Sequence, residues 1–99
     1  MKRKFLIIFL ALLLSLTFMV SGASAAKLAL NHVGATDHPY HFGAEKFAEL
    51  IKEYTGGSIE IDVFPASQIA SGAKAVEMVQ TYTLDIAVES TMALSNFVP

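Results

Sequence analysis

Three histidines, His32, His38 and His41, are the residues of this chain best suited to hold a metal or move a proton. His38 and His41 stand one helical turn apart and would share a face. A metal site needs more than that. No third ligand falls at a recognisable spacing, there is no His-Glu-x-x-His, and the chain has no cysteine, so no metal is assigned. His38 is expected to help cap a helix, His41 to face water, and His32 to be a buried strand residue near a cleft. Ser90 sits where a nucleophile elbow would, but Gly-x-Ser-x-Gly is absent and its neighbours are Glu89 and Thr91. Glu60 and Asp62, two residues apart, share one face of a strand, which is most often a solvated one. Gly56 and Gly57 follow a helix and precede a strand, the wrong order for a phosphate-binding loop. The expectation is a protein that is not an enzyme, with no catalytic residue and no cofactor.

The elements that would position these side chains begin after a leader. Lys2, Arg3 and Lys4 form a positive start, Phe5 to Val20 is an apolar run broken only by Ser15 and Thr17, and Ser21 to Ala26 is small throughout. That is the pattern of a secretory signal peptide, with Ala23-Ser24-Ala25 as the cleavage motif and Ala26 the first mature residue. The run is shorter than the ~20 residues of a spanning helix, so no lasting membrane anchor is expected. Of the 99 residues, the 74 from 26 to 99 carry four lysines against nine acidic side chains, a net of −5. Such a balance offers no electrostatic footprint for nucleic acid and no polybasic patch for a membrane surface. Without cysteine, an exported domain of this size must fold on its core alone.

Lys27 to Val33 reads as a first strand, with Leu28, Leu30 and His32 on one side and Ala29, Asn31 and Val33 on the other. The stretch from Asp37 to Gly57 then carries a helix with both ends marked. Tyr40, Ala44, Phe47, Ile51 and Tyr54 make its inward stripe, Asp37 and His38 are candidate caps, Pro39 suits the first turn, and Gly56-Gly57 supply a left-handed stop. Ser58 to Phe64 alternates strictly, as an edge strand with one wet face does, and Pro65 ends it. A weaker helix is expected from about Ser71 to Thr81, with Ala75, Val76, Val79 and Tyr82 inward. Leu84 to Val88 reads as a strand covered on both faces. Two right-handed crossovers then give the strand order 2-1-3, with helices on opposite faces of the sheet. That order opens a crevice at the C-terminal ends of the first and third strands, where ligands of open α/β sheets bind. The residues there are His32, Val33, Gly34, Ser90 and Thr91. The apolar close, with Met92, Leu94, Phe97 and Val98 and no polar tail, reads as the front part of a longer protein.

Several stretches then fall into a family order: Asp-His-Pro at a helix start, Gly-Ala-Glu-Lys-Phe-Ala-Glu-Leu, Thr-Gly-Gly, a strand ending Phe-Pro with Gln68 three residues on, Leu-Asp-Ile-Ala-Val, and Leu-Ser-Asn-Phe-Val-Pro. From about Leu28 to Pro99 the sequence resembles the N-terminal part of the substrate-binding proteins of tripartite ATP-independent periplasmic (TRAP) transporters, the DctP-like family. The resemblance implies an exported, periplasmic receptor of two α/β lobes that closes on a small organic acid, such as a C4-dicarboxylate, and passes it to a membrane permease. This chain would be the N-terminal part of one lobe, residues 26–99. The family's carboxylate-pairing arginine would lie beyond Pro99, and His32 to Gly34 with Ser90 and Thr91 would line the cleft through backbone N–H groups and hydroxyls. The sequence departs from the family in two places. Gln68-Ile69-Ala70-Ser71-Gly72 replaces the usual Gln-Leu-Gly-acidic run, and Tyr82 stands where a glycine commonly ends the second helix. A small secreted metal-binding or hydrolytic domain using His38 and His41, or a truncated remnant without function, are the alternatives.

Overall fold

A computed structural model describes residues 1–16 and 24–98. Helix α1 spans Lys2–Leu16. The rest of the apolar run to Val20, and Ser21 to Ala23 at the start of the small-residue stretch, lie outside the described residues, as does Pro99. Among the described residues no helix is long and apolar enough to cross a membrane.

From Ala26 the chain runs β1 (Ala26–His32), α2 (Pro39–Tyr54), β2 (Ile59–Phe64), α3 (Ala73–Gln80), β3 (Ile86–Val88) and the single-turn α4 (Thr91–Leu94). The three strands are parallel and ordered β2-β1-β3, as the alternation and the crossovers require. Ala26 stands opposite Ile59 at one end of the sheet and His32 opposite Val88 at the other. β1 is therefore the middle strand, and the last three of its residues, Leu30, Asn31 and His32, are buried. β3, expected to be covered on both faces, pairs only with β1 among the described residues and is half-buried. The order itself is the reason, because in 2-1-3 the first strand holds the middle.

The pleat sends alternate side chains to opposite faces, and the helices follow it. Leu30, Ile86 and Val88 face α2, where they border an apolar groove of about 350 Å³ with Tyr40, Gly43 and Phe47. Ala87 and Glu89 face α3 beside Val76 and Val79. Among the described residues the buried apolar side chains are Leu30, Ala44, Ala75 and Leu84, with Leu30 and Ala44 together on the α2 side. A buried leucine of this kind contributes about 1.5–3 kcal/mol over an exposed one. The expected inward stripe of α2 is only partly inward. Ala44 is buried and Tyr40 and Ile51 are half-buried, but Phe47 lies at the open groove and Tyr54 is 77% exposed.

Both helices that cross the sheet end in the same way. At the end of α2, Gly56 N–H donates to the Glu53 carbonyl and Gly57 N–H to that of Lys52, with Gly56 at φ 62°. At the end of α3, Tyr82 N–H donates to the Val79 carbonyl and Thr83 N–H to that of Met78, with Tyr82 at φ 59°. These are paired Schellman turns. The tyrosine that replaces the expected glycine takes the left-handed conformation itself, with its ring 94% exposed rather than on the inward stripe.

Candidate functional site

The C-terminal ends of β1 and β3 meet at the parallel pair His32–Val88, where the topology places a ligand crevice. The sequence-derived residues divide into two kinds there. Val33, Ser90 and Thr91 are exposed, whereas His32 and Gly34 are buried beneath the start of α2. The Ser90 hydroxyl accepts from the Ala93 N–H at 3.4 Å, a long bond that caps α4. Gly34 is held by contact: a Cβ there would lie 2.8 Å from the His38 side chain. His38 in turn caps α2, its Nδ1 accepting the Tyr40 N–H at 3.1 Å, as expected from the sequence, while Asp37 makes no such cap.

His41 does not face water as expected. It is 18% exposed, and its Nδ1 lies 3.2 Å from Nε2 of His32, with the rings 5.3 Å apart. Its Nε2 lies 4.0 Å from Glu45 Oε1. The cause is register: His41 is on the same turn of α2 as the residues that cover the end of β1. His32 is fully buried, its Nδ1 has no partner, and burial first, then the neighbouring His41 and His38, lower its pKa from the ordinary 6.5. The arrangement favours neutral imidazole. Among the described residues no three His, Asp or Glu side chains are grouped to hold a metal ion.

Two residues that sequence reasoning passed over prove central. Asn31 is fully buried; its Nδ2 donates to the Ala70 carbonyl at 2.7 Å and its Oδ1 accepts from the Ile69 N–H at 3.1 Å. The carbonyl of His32 accepts from Ser67 N–H at 2.9 Å and that of Gly34 from Ala66 N–H at 2.8 Å. The end of β1 thus grips the whole loop from 66 to 70. The grip holds Ala66 and Ser67 at φ 53° and 56°, a conformation that costs about 1–2 kcal/mol for each non-glycine residue. Glu89, directly after β3, has its carboxylate partly buried; it accepts from the Gly72 backbone, and Oε1 has no partner. Desolvation raises its pKa from 4.5, against that hydrogen bond. Gly72, at the N-cap of α3, makes no side-chain cap of its own. The signal for both was present: an asparagine inside an apolar strand, and an acid at the point where another apolar strand stops.

Residues 30–99 match the model of a family described as bacterial extracellular solute-binding protein, family 7. The C4-dicarboxylate-binding protein DctB of Bacillus subtilis is 35% identical over 70% of this chain and 20% of its own length. Among solved structures, a TRAP periplasmic solute-binding protein from Sulfitobacter with bound β-D-galacturonate is similar with a TM-score of 0.71 and 30% identity, over 74% of this chain and 24% of that one. Another, from Sulfurospirillum deleyianum with bound succinate, gives 0.69 and 28%, over 75% and 24%. The chain spans about a quarter or less of the length of these proteins.

Proposed function

The chain belongs to bacterial extracellular solute-binding protein family 7, and from that premise we propose that it forms the N-terminal part of one lobe of a periplasmic receptor for a TRAP-type transporter. The receptor captures a small organic acid at the ends of β1 and β3 and passes it to membrane permease subunits. Residues 1–25 serve as the export signal, cleaved near Ala25. The observation that carries this reading is the parallel 2-1-3 sheet, with Val33, Ser90 and Thr91 exposed just beyond its C-terminal strand ends.

The ligand class follows from what the crevice offers. His32 is neutral and buried, and no lysine belongs to the crevice residues, so this face meets a carboxylate with backbone N–H groups and hydroxyls rather than with charge. The balancing cation comes from the opposing lobe. C4-dicarboxylates and sugar acids, both bound by similar proteins, are both tested. Closure of two lobes on a bridging ligand supplies the full contact set, so one face alone binds weakly, with Kd above about 1 mM, or about −4 kcal/mol.

Amide chemical shifts of the chain, followed by NMR during titration with succinate and with galacturonate, test this. Perturbations centred on Val33, Gly34, Ser90 and Thr91 are expected with either ligand. Saturating ligand without change at those amides, or micromolar binding centred elsewhere, would refute the site.

A further inference from the structure

We propose that His32 and His41 form an acid-operated latch between β1 and α2, which holds Ala66 and Ser67 in place when neutral and releases them when both imidazoles are protonated. The inference does not depend on any ligand.

The geometry sets the response. With both rings neutral, one N–H points at one lone pair across the 3.2 Å between His32 Nε2 and His41 Nδ1. A first proton leaves that contact intact, because the pair still shares one hydrogen between two facing nitrogens. A second proton sets N–H against N–H inside a contact where His32 has no exposed surface through which to turn toward water. Nothing on His32 offsets that repulsion, since its Nδ1 is already without a partner. The response therefore belongs to the pair rather than to either ring.

Other charges around the pair do not relieve it. On α2, Glu45 lies 4.0 Å from the far nitrogen of His41, and its charge also favours the protonated form of His32, but less strongly than His41 and His38 oppose it. On β2, Glu60 is paired with Lys52 at 3.1 Å, and Asp62 stands opposite Ala29, three residues back along β1. On the β3 side, the Asp85 carboxylate takes the Ala29 N–H and Glu89 points to the α3 face. The loop from 65 to 70 contains no ionisable side chain.

What the latch moves is given by the backbone. The His32 carbonyl holds Ser67 and the Gly34 carbonyl holds Ala66, both in left-handed conformations that relax when the grip is lost. Displacing the end of β1 from the start of α2 thus frees a loop beside the crevice.

The test is NMR of the full chain from about pH 7.5 to about pH 4.5, following imidazole resonances and amides together. Amides of His32, Gly34, Ala66 and Ser67 are expected to shift with one midpoint below 6.5, together with the His32 imidazole, and the Ala66 and Ser67 amides to lose hydrogen-exchange protection in the same step. His41→Gln replaces the second titrating ring with an amide oxygen that accepts from His32 Nε2 in either state, so the loop response is expected to vanish. His38→Asn keeps the helix cap and is expected to keep the response. The proposal is overturned if Ala66 and Ser67 stay fixed while His32 titrates, if His41→Gln retains the wild-type transition, or if the spectrum is already collapsed at neutral pH. Should His41→Gln fail to fold, the wild-type co-titration and His38→Asn decide.

Discussion

Asn31→Ala removes the clamp by which the middle strand holds the loop after β2. Two hydrogen bonds are lost, Asn31 Nδ2 to the Ala70 carbonyl at 2.7 Å and Ile69 N–H to Asn31 Oδ1 at 3.1 Å. Each contributes about 1 kcal/mol net, and where the remaining partner is left dry the cost becomes about 1–3 kcal/mol instead. Ile69 is 37% exposed, so water reaches its N–H once the side chain is gone, and the dry penalty falls mainly on the Ala70 carbonyl. The expected cost is about 2–3 kcal/mol, or about 10–20 °C in Tm for a domain of this size. Urea titration of wild type and variant measures it, with equal m-values as the check that both unfold alike. Asn31→Asp sharpens the test. It keeps an oxygen for Ile69 but sets a second one against the Ala70 carbonyl, so at neutral pH it must destabilise at least as much as alanine and recover as the carboxyl protonates. A loss below about 0.5 kcal/mol for Asn31→Ala would refute the reasoning, because the loop would then be held by the His32 and Gly34 carbonyls alone.

Three further outcomes follow from the same structure. Tyr82→Gly, at an exposed site with φ 59°, is expected to stabilise by about 0.5–1 kcal/mol, read as a rise in Tm; a fall would mean that the ring packs. His32 has its folded pKa below the unfolded 6.5, so the unfolded state binds more protons as pH falls; stability is complete above 6.5 and declines below it, by at most about 1.4 kcal/mol per pH unit for one group, and His32→Gln should flatten that slope in urea titrations across the range. Glu89 has its folded pKa above the unfolded 4.5, the reverse case, in which stability is greatest below 4.5 and lost as pH rises through the folded value. Glu89→Gln keeps an oxygen for Gly72 without the buried charge and is expected to raise Tm at pH 7 with little change at pH 4, as thermal melts at the two values would show.

The sequence by itself determined whatever depends on neighbours along the chain. The period of apolar residues from Tyr40 to Ile51, the cap at His38, the proline in the first turn and the glycines at 56 and 57 set α2 almost to the residue, because helix ends are built from local hydrogen bonds. Alternation in β1 and β2, with two crossovers of fixed hand, set the parallel order and with it the strand ends where a crevice is expected. The run of family-like stretches carried the identity, and the match over residues 30–99 agrees with it.

Only the tertiary structure decided which polar groups meet across elements. His41 turned from an expected surface residue into the partner of His32 because nine residues of chain fold back over the end of β1, a distance no periodicity encodes. Asn31 reaches a loop 38 residues away, and Glu89 reaches Gly72, for the same reason. Tyr82 shows the division at a single position. The sequence marked it as standing where a glycine belongs, and the fold resolved the conflict by keeping the Schellman turn and accepting a tyrosine in it, since two backbone hydrogen bonds closing α3 outweigh the strain of one left-handed residue.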